Sequence, residues 1–373
     1  MSVRPGDRTS IEITAEADPV TGRLVERLSP AGADMALPYY TREIVTPDNK
    51  GVLVSCNRTG EWLPYVVYPE EKVMVCVSDM PTHHYSAPAL GGKRVVYLSK
   101  DGRLGYAPLA GGPFTAVTKL PTDFTYSYSA PSACGRYAAV IYTEMDQAPR
   151  SRNLLGGRFG EYPSAGSERD NFGGRGLLLW VDLDTGMSKG ITGGRLIDHP
   201  RVSPVDPYLM GYCNMGDWKQ IQRMMTARFH EAANYIEGRP LFVQRPGLDA
   251  VGHEIFLADG RVAAIWMEYE KIGDDAEKPK RSAILVVDPA TGKHVAFDTP
   301  GLIFNHLHGR DGKVFVSEGR SEVLLKDREA QPDRNNMSMG DLLVRYVVQG
   351  ERTVPTVLCV LQGTRKSHAH AVL

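Results

Sequence analysis

The sequence carries almost no net charge: 43 Lys and Arg face 44 Asp and Glu, a formal −1 at pH 7. A chain without a basic field lacks the electrostatic footprint of a nucleic-acid binder or of a protein held to an anionic membrane, and neither partner is expected. It holds no run of roughly eighteen apolar residues, so no spanning helix is expected. The opening MSVRPGDR, from Met1 to Arg8, lacks the apolar core that a signal peptide needs. Cysteine is scarce: Cys56, Cys76, Cys134, Cys213 and Cys359 are odd in number, widely scattered and without a CxxC pair. Four of them lie in apolar strand-like runs, the pattern of buried free thiols in a reducing compartment, and the expected location is the cytoplasm. Helical periodicity is scarce as well.

In its place stand short runs of Val, Leu, Ile and Tyr, punctuated by Gly, Pro and Asp turns. With 42% apolar and 23% charged residues over 373 positions, the chain can bury a core of useful size. One pattern recurs: a turn, a basic or small residue, then four or five apolar residues. It reads TPDNKGVLVS (46–55), ALGGKRVVYL (89–98), SACGRYAAVI (132–141), SPVDPYLMGY (203–212), LADGRVAAIW (257–266) and GRDGKVFVSE (309–318). The first steps are about 43 residues, close to one propeller blade. A second pattern, DPVTG (18–22), DLDTG (182–186) and DPATG (288–292), marks outer-strand hairpins. Later steps are stretched by inserts at about 144–175 and 217–237. The second insert is expected to hold a strand followed by a short helix around Phe229 to Ile236. TRKSHAHAVL (364–373) reads as the start of a seventh copy. The expected fold is all-β: one seven-bladed β-propeller domain over 1–373, with its last blade incomplete at the C-terminus.

The histidines keep register with the turns. His199 stands seven residues before Asp206, His253 seven before Gly260, and His306 six before Gly312. His84 and Tyr128 hold the matching place before Gly91 and Gly135, and His368 repeats the step at the tail. In a propeller this segment enters the innermost strand, so residues far apart in sequence converge on one axis. Three or four neutral imidazoles around one point suit a mid-row divalent metal. His368 and His370, two apart on a strand, would face the same way. A channel lined by hydrogen-bonded histidines without metal is the alternative.

Over essentially the whole chain, the sequence resembles oligogalacturonate lyase, the propeller of polysaccharide lyase family 22. The likeness rests on DPVTGRLVERLSP (18–30), HPRVSPVDPYLMGYCNMGDW (199–218), GHEIFLADGRVAAIW (252–266) and the terminal SHAH. It implies a Mn²⁺ ion held by His253, His368 and His370, and His199 as the base. Zn²⁺, Fe²⁺ or Ni²⁺ would also suit these ligands. The implied reaction is β-elimination on a small uronate-containing oligosaccharide, with Arg175, Arg223, His306 and Arg365 binding substrate and Tyr128 or His84 lining the opposite side. The pattern departs in three places. Arg365 stands where the family has a glutamine ligand, with Gln362 close by. Leu177 stands at a family arginine, two residues beyond Arg175. Cys213-Asn214-Met215-Gly216 replaces a segment that carries a His and a Glu.

The rival expectation, from another class, is a non-catalytic propeller that binds a sugar or a protein; a metal-dependent hydrolase or isomerase is a third. A monomer or weak homo-oligomer is expected. Trp180, Trp266 and Met224-Met225 are expected in blade packing, and 277–281 at a solvated hairpin tip. Glu254 is expected on the strand face opposite His253, where it would orient a neighbouring histidine.

Overall fold

Runs such as GRYAAVI and GRVAAIW are apolar at successive positions, which a strand tolerates only when both of its faces are buried. The computed structural model of the chain shows what buries them. It describes residues 3–30, 32–38, 42–82, 88–120, 124–144, 176–192, 197–214, 221–270, 279–299, 303–320 and 342–360. Among these the architecture is all-β, with no helix. The chain opens with β1 (Arg8–Ser10) and a hairpin, β2 (Thr14–Ala17) and β3 (Leu24–Arg27). Six antiparallel meanders follow, each running from an inner to an outer strand.

The first meander is β4 (Met35–Ala36), β5 (Val52–Cys56), β6 (Leu63–Tyr68) and β7 (Val73–Cys76), and the second is β8 (Ala89–Gly91), β9 (Arg94–Leu98), β10 (Arg103–Pro108) and β11 (Thr115–Lys119). Next come β12 (Phe124–Pro131), β13 (Tyr137–Glu144), β14 (Gly176–Asp182) and β15 (Ser188–Thr192). The fourth holds β16 (Ile197–Val202), β17 (Leu209–Asn214), β18 (Met224–His230) and β19 (Tyr235–Pro240). The fifth holds β20 (Asp249–Phe256), β21 (Val262–Glu268), β22 (Arg281–Val287) and β23 (His294–Asp298). The sixth holds β24 (Ile303–Gly309), β25 (Val314–Arg320), β26 (Leu342–Gln349) and β27 (Arg352–Val360). Each repeated turn of the sequence joins the first strand of a meander to its second. The meanders are propeller blades, and β12, β16, β20 and β24 lie side by side around the axis.

The core is a set of layers between blades. On β13, Tyr137, Ala139 and Ile141 pack with Met210 and Phe229 of the fourth blade, while Ala138 and Val140 face Val96 and Leu98 of the second. On β21, Ala263 and Ile265 face Phe315 of the sixth blade, and Val262 and Ala264 face Met224 of the fourth. The period of two thus survives, with both faces apolar. Trp180 is 1% exposed, stacked 4.6 Å from Tyr137 and 4.3 Å from Phe229 between ring centroids. Trp266 donates from Nε1 to Asp249 Oδ1 and carries the Arg281 guanidinium over its ring.

The expected helix around Phe229 to Ile236 is instead the β18–β19 hairpin, in which Phe229 pairs with Ile236. Asn234 closes the turn at φ 56°, its N–H donating to the His230 carbonyl at 2.7 Å. Packing of Phe229 and Ile236 against the Trp180 layer outweighs the helical preference of Ala232-Ala233. Regular blade structure therefore covers most of the second expected insert. The first insert lies outside the described residues beyond Glu144.

The second repeated motif closes outer hairpins by one chemistry. In each copy the Gly N–H donates to the Asp carbonyl at 2.8 Å, with Gly22, Gly186 and Gly292 at φ 69°, 75° and 71°. Asp18 Oδ1 also accepts from the Val20 and Thr21 N–H groups, and Asp288 Oδ1 from Ala290. DLDTG and DPATG join third to fourth strands, so the β2–β3 hairpin has the chemistry of an outer blade hairpin. Its tip reaches the sixth blade, where Thr21 Oγ1 donates to the Leu358 carbonyl at 3.0 Å. β1 pairs with β7 and extends the outer edge of the first blade. The expected start of a seventh blade, 364–373, lies outside the described residues. Cys56, Cys76 and Cys213 are buried free thiols, Cys359 is half-buried and Cys134 is exposed.

Candidate active site at the blade bulges

The inner strands of three successive blades break register at the same level. On β16 the pairing jumps from Asp198–Cys213 to Arg201–Gly211, so His199 and Pro200 oppose a single residue, Tyr212. On β20 it jumps from Gly252–Ile265 to Ile255–Ala263, and His253 with Glu254 oppose Ala264. On β24, Asn305 and His306 oppose Glu318. A bulge bends the strand and re-aims its side chains, and bulges gather beside functional sites. His199 and His253 sit in the left-handed region, at φ 56° and 52°. That conformation costs a non-glycine residue about 1–2 kcal/mol, which the surrounding sheet must hold in place. His306 is the second residue of its bulge, which accounts for its spacing of six rather than seven from the turn glycine.

The three imidazoles are buried and contiguous. Ring centroids of His199 and His253 lie 6.1 Å apart, and those of His253 and His306 4.5 Å apart. Acidic groups surround them. The His199 N–H donates to Asp198 Oδ1 at 2.7 Å, and Asp198 Oδ2 lies 3.9 Å from its Nε2. Glu254 Oε1, from the next blade, lies 3.8 Å from His199 Nδ1. Burial alone would push the His199 imidazole down, but Asp198, Cys213 and Glu254 carry it up to about 10. Burial would raise Glu254, and the Arg201 guanidinium with His199 holds it instead at about 2. Glu318 accepts from the His306 N–H at 3.3 Å and pairs with its Nδ1, fixing that ring.

The structure brings together His199, His253 and His306 as the repeat register implies. Arg223 is buried just ahead of β18, its N–H donating to Gln244 Oε1 at 2.6 Å and its carbonyl accepting from Asn214. Tyr128 lies on inner strand β12. Arg175, Arg365, His368, His370 and His84 lie outside the described residues. Glu254 does meet a neighbouring histidine, its Oε1 lying 3.8 Å from His199 Nδ1, while the His253 ring lies nearer His306 than His199.

Two participants were missed in the sequence. Cys213 opposes Asp198 on β17, and its Sγ joins His199 and Glu254 in a group whose ligand atoms lie within 4.8 Å of one another. His308, 8% exposed, follows His306 on β24, where burial and the charges of Arg310 and Arg201 push its imidazole down to about 4. The spacing His306-Leu307-His308 repeats the H-x-H of the tail and was the available signal. For Cys213 no local signal existed.

The donors present fit a divalent cation. Imidazole nitrogens suit mid-row metals, and neither Glu254 carboxylate oxygen has a hydrogen-bond partner among the described residues. Of the implied Mn²⁺ ligands, His253 is the one described, and it sits between the other two histidines.

No family model matches the sequence, and no curated protein matches it. Solved structures do. An oligogalacturonate lyase in complex with manganese superposes with a TM-score of 0.74 at 17% identity, over 96% of this chain and 86% of that one. An oligogalacturonate lyase from Vibrio parahaemolyticus gives 0.73 at 16% identity, over 97% and 88%. A prolyl endopeptidase gives 0.55 at 13% identity, covering 92% of this chain but 46% of that one. At such identities the likeness is one of fold: this chain shares the β-propeller of the oligogalacturonate lyases that its motifs resemble.

Proposed function

We propose that this chain is a metal-dependent β-eliminating lyase acting on a small uronate-containing oligosaccharide, similar to an oligogalacturonate, with His199 as the base. The observation that supports this most is the convergence of His199, His253 and His306 at equivalent bulges within the oligogalacturonate lyase fold.

A uronate's carbon-5 proton is too weak an acid to leave unaided at neutral pH. A bound divalent cation, Mn²⁺ by analogy with the manganese-bound relative, supplies Lewis-acid neutralisation of the adjacent carboxylate. His253, with His368 and His370, would hold it. His199 removes the carbon-5 proton, and the carbon-4 oxygen departs to leave an unsaturated uronate. Asp198, 3.9 Å from Nε2, and Glu254, 3.8 Å from Nδ1, stabilise the imidazolium that results. His306, anchored by Glu318, contributes to substrate binding together with Arg175, Arg223 and Arg365.

A second reading, an acidic-sugar-binding propeller without turnover, is favoured by one feature. The carboxylates of Asp198 and Glu254 beside His199 favour its protonated form, and an imidazolium binds a carboxylate rather than accepting a proton. Incubation of the Mn²⁺-loaded protein with oligogalacturonates separates the two. The lyase reading expects a rise in ultraviolet absorbance from the conjugated alkene, or a keto acid from disaccharides whose ring opens. Saturable binding with neither product would establish the second reading.

A further inference from the structure

Beside the histidine row lies a donor set of different chemistry. His199 on β16, Cys213 on β17 and Glu254 on β20 present one nitrogen, one sulfur and one oxygen within 4.8 Å of one another, and all three residues are buried. Both Glu254 oxygens lack hydrogen-bond partners among the described residues, and the residue is 2% exposed. Arg201 and His199 offset its charge, and a directly ligated cation would satisfy the oxygens themselves. The Cys213 thiol donates weakly from Sγ to the Asn214 carbonyl at 3.3 Å and also interacts with His199.

We propose that His199, Cys213 and Glu254 form a second cation site, selective for a thiophilic divalent ion such as Zn²⁺, and that its occupation inhibits the enzyme. Thiolate ligands favour Zn²⁺ over the harder Mn²⁺. One thiolate and one carboxylate balance the charge of a divalent ion, and the imidazole, deprotonated as the ion binds, completes three protein ligands, which leaves a fourth tetrahedral position open. Ligation displaces the thiol proton and the imidazolium proton to solvent. It also engages the His199 lone pair, so the residue that would accept the carbon-5 proton can no longer do so. The inhibitory consequence rests on the lyase reading; the site itself does not.

The test is a Co²⁺ titration of the full chain, read by the thiolate-to-cobalt charge-transfer band, with Zn²⁺ affinity from chelator competition. Wild type should develop the band. Cys213→Ser should lose it and weaken Zn²⁺ binding at least tenfold. Glu254→Gln, close to isosteric, should also weaken Zn²⁺ at least tenfold and guards against a misfolded serine variant. Where uronate turnover is measurable, Zn²⁺ should inhibit wild type at concentrations at least tenfold lower than it inhibits Cys213→Ser. Absence of the band in wild type, or its survival in a folded Cys213→Ser protein, overturns the proposal. Failure to turn over any uronate would remove the lyase reading and leave the cobalt result to decide the site.

Discussion

Replacement of His308 by glutamine should change how the protein's stability responds to acid. The imidazole is almost wholly buried, with the charges of Arg310 and Arg201 opposing its protonation, and it is pushed down to about 4 from an ordinary 6.5. Below pH 6.5 the unfolded chain takes up a proton at this position, whereas the folded chain does not until about pH 4. The unfolded state therefore binds more protons in that window, and folding stability falls as the pH falls. One pH unit of such difference is worth about 1.4 kcal/mol, so the loss from this residue between pH 6.5 and pH 5 is about 2 kcal/mol. Glutamine keeps polarity without titrating. Urea unfolding of both proteins at pH 7 and pH 5 isolates the contribution, because the carboxylates are common to the two. The wild type's advantage over His308→Gln should shrink by about 2 kcal/mol at pH 5. An advantage equal at both pH values would show that His308 is not held neutral by its surroundings.

Further perturbations probe other parts of the molecule. Trp180→Ala should cost about 3–5 kcal/mol in chemical denaturation, since it empties a stacked layer between two blades, while leaving metal content unchanged. Gly260→Ala should lower stability by about 1 kcal/mol or more: the residue stands at φ 86°, and an added Cβ would come 2.4 Å from Val205 Cγ2. Glu318→Gln should cost about 1–3 kcal/mol by weakening the acceptor that fixes His306, and should raise KM for uronate more than it lowers kcat.

The blades were legible because each is built from local chemistry: an Asp or Gly turn and an apolar run, repeated. So was the meeting of His199, His253 and His306, which equivalent positions in neighbouring blades force. The bulges themselves were less visible, although the one-residue offset of His306 from its glycine records a shift along the bulge. The meeting of Glu254 with a neighbouring histidine was legible too, and at the bulge that histidine is His199. Cys213 joins the site through ladder pairing with Asp198, and contact with Glu254 comes from blade packing, neither of which leaves a sequence pattern. The β18–β19 hairpin was misread because the preference of Glu231-Ala-Ala for helix is local, while the burial of Phe229 against Trp180 comes from the neighbouring blade.

In the proposed reaction His199 moves the proton while His253 holds the metal. Metal content and oligogalacturonate turnover, measured on wild type, His199→Ala and His253→Ala after Mn²⁺ loading, test it most directly. His199→Ala should retain the ion and lose turnover, whereas His253→Ala should lose the ion. Turnover that persists in His199→Ala, or manganese that stays bound to His253→Ala, would contradict it.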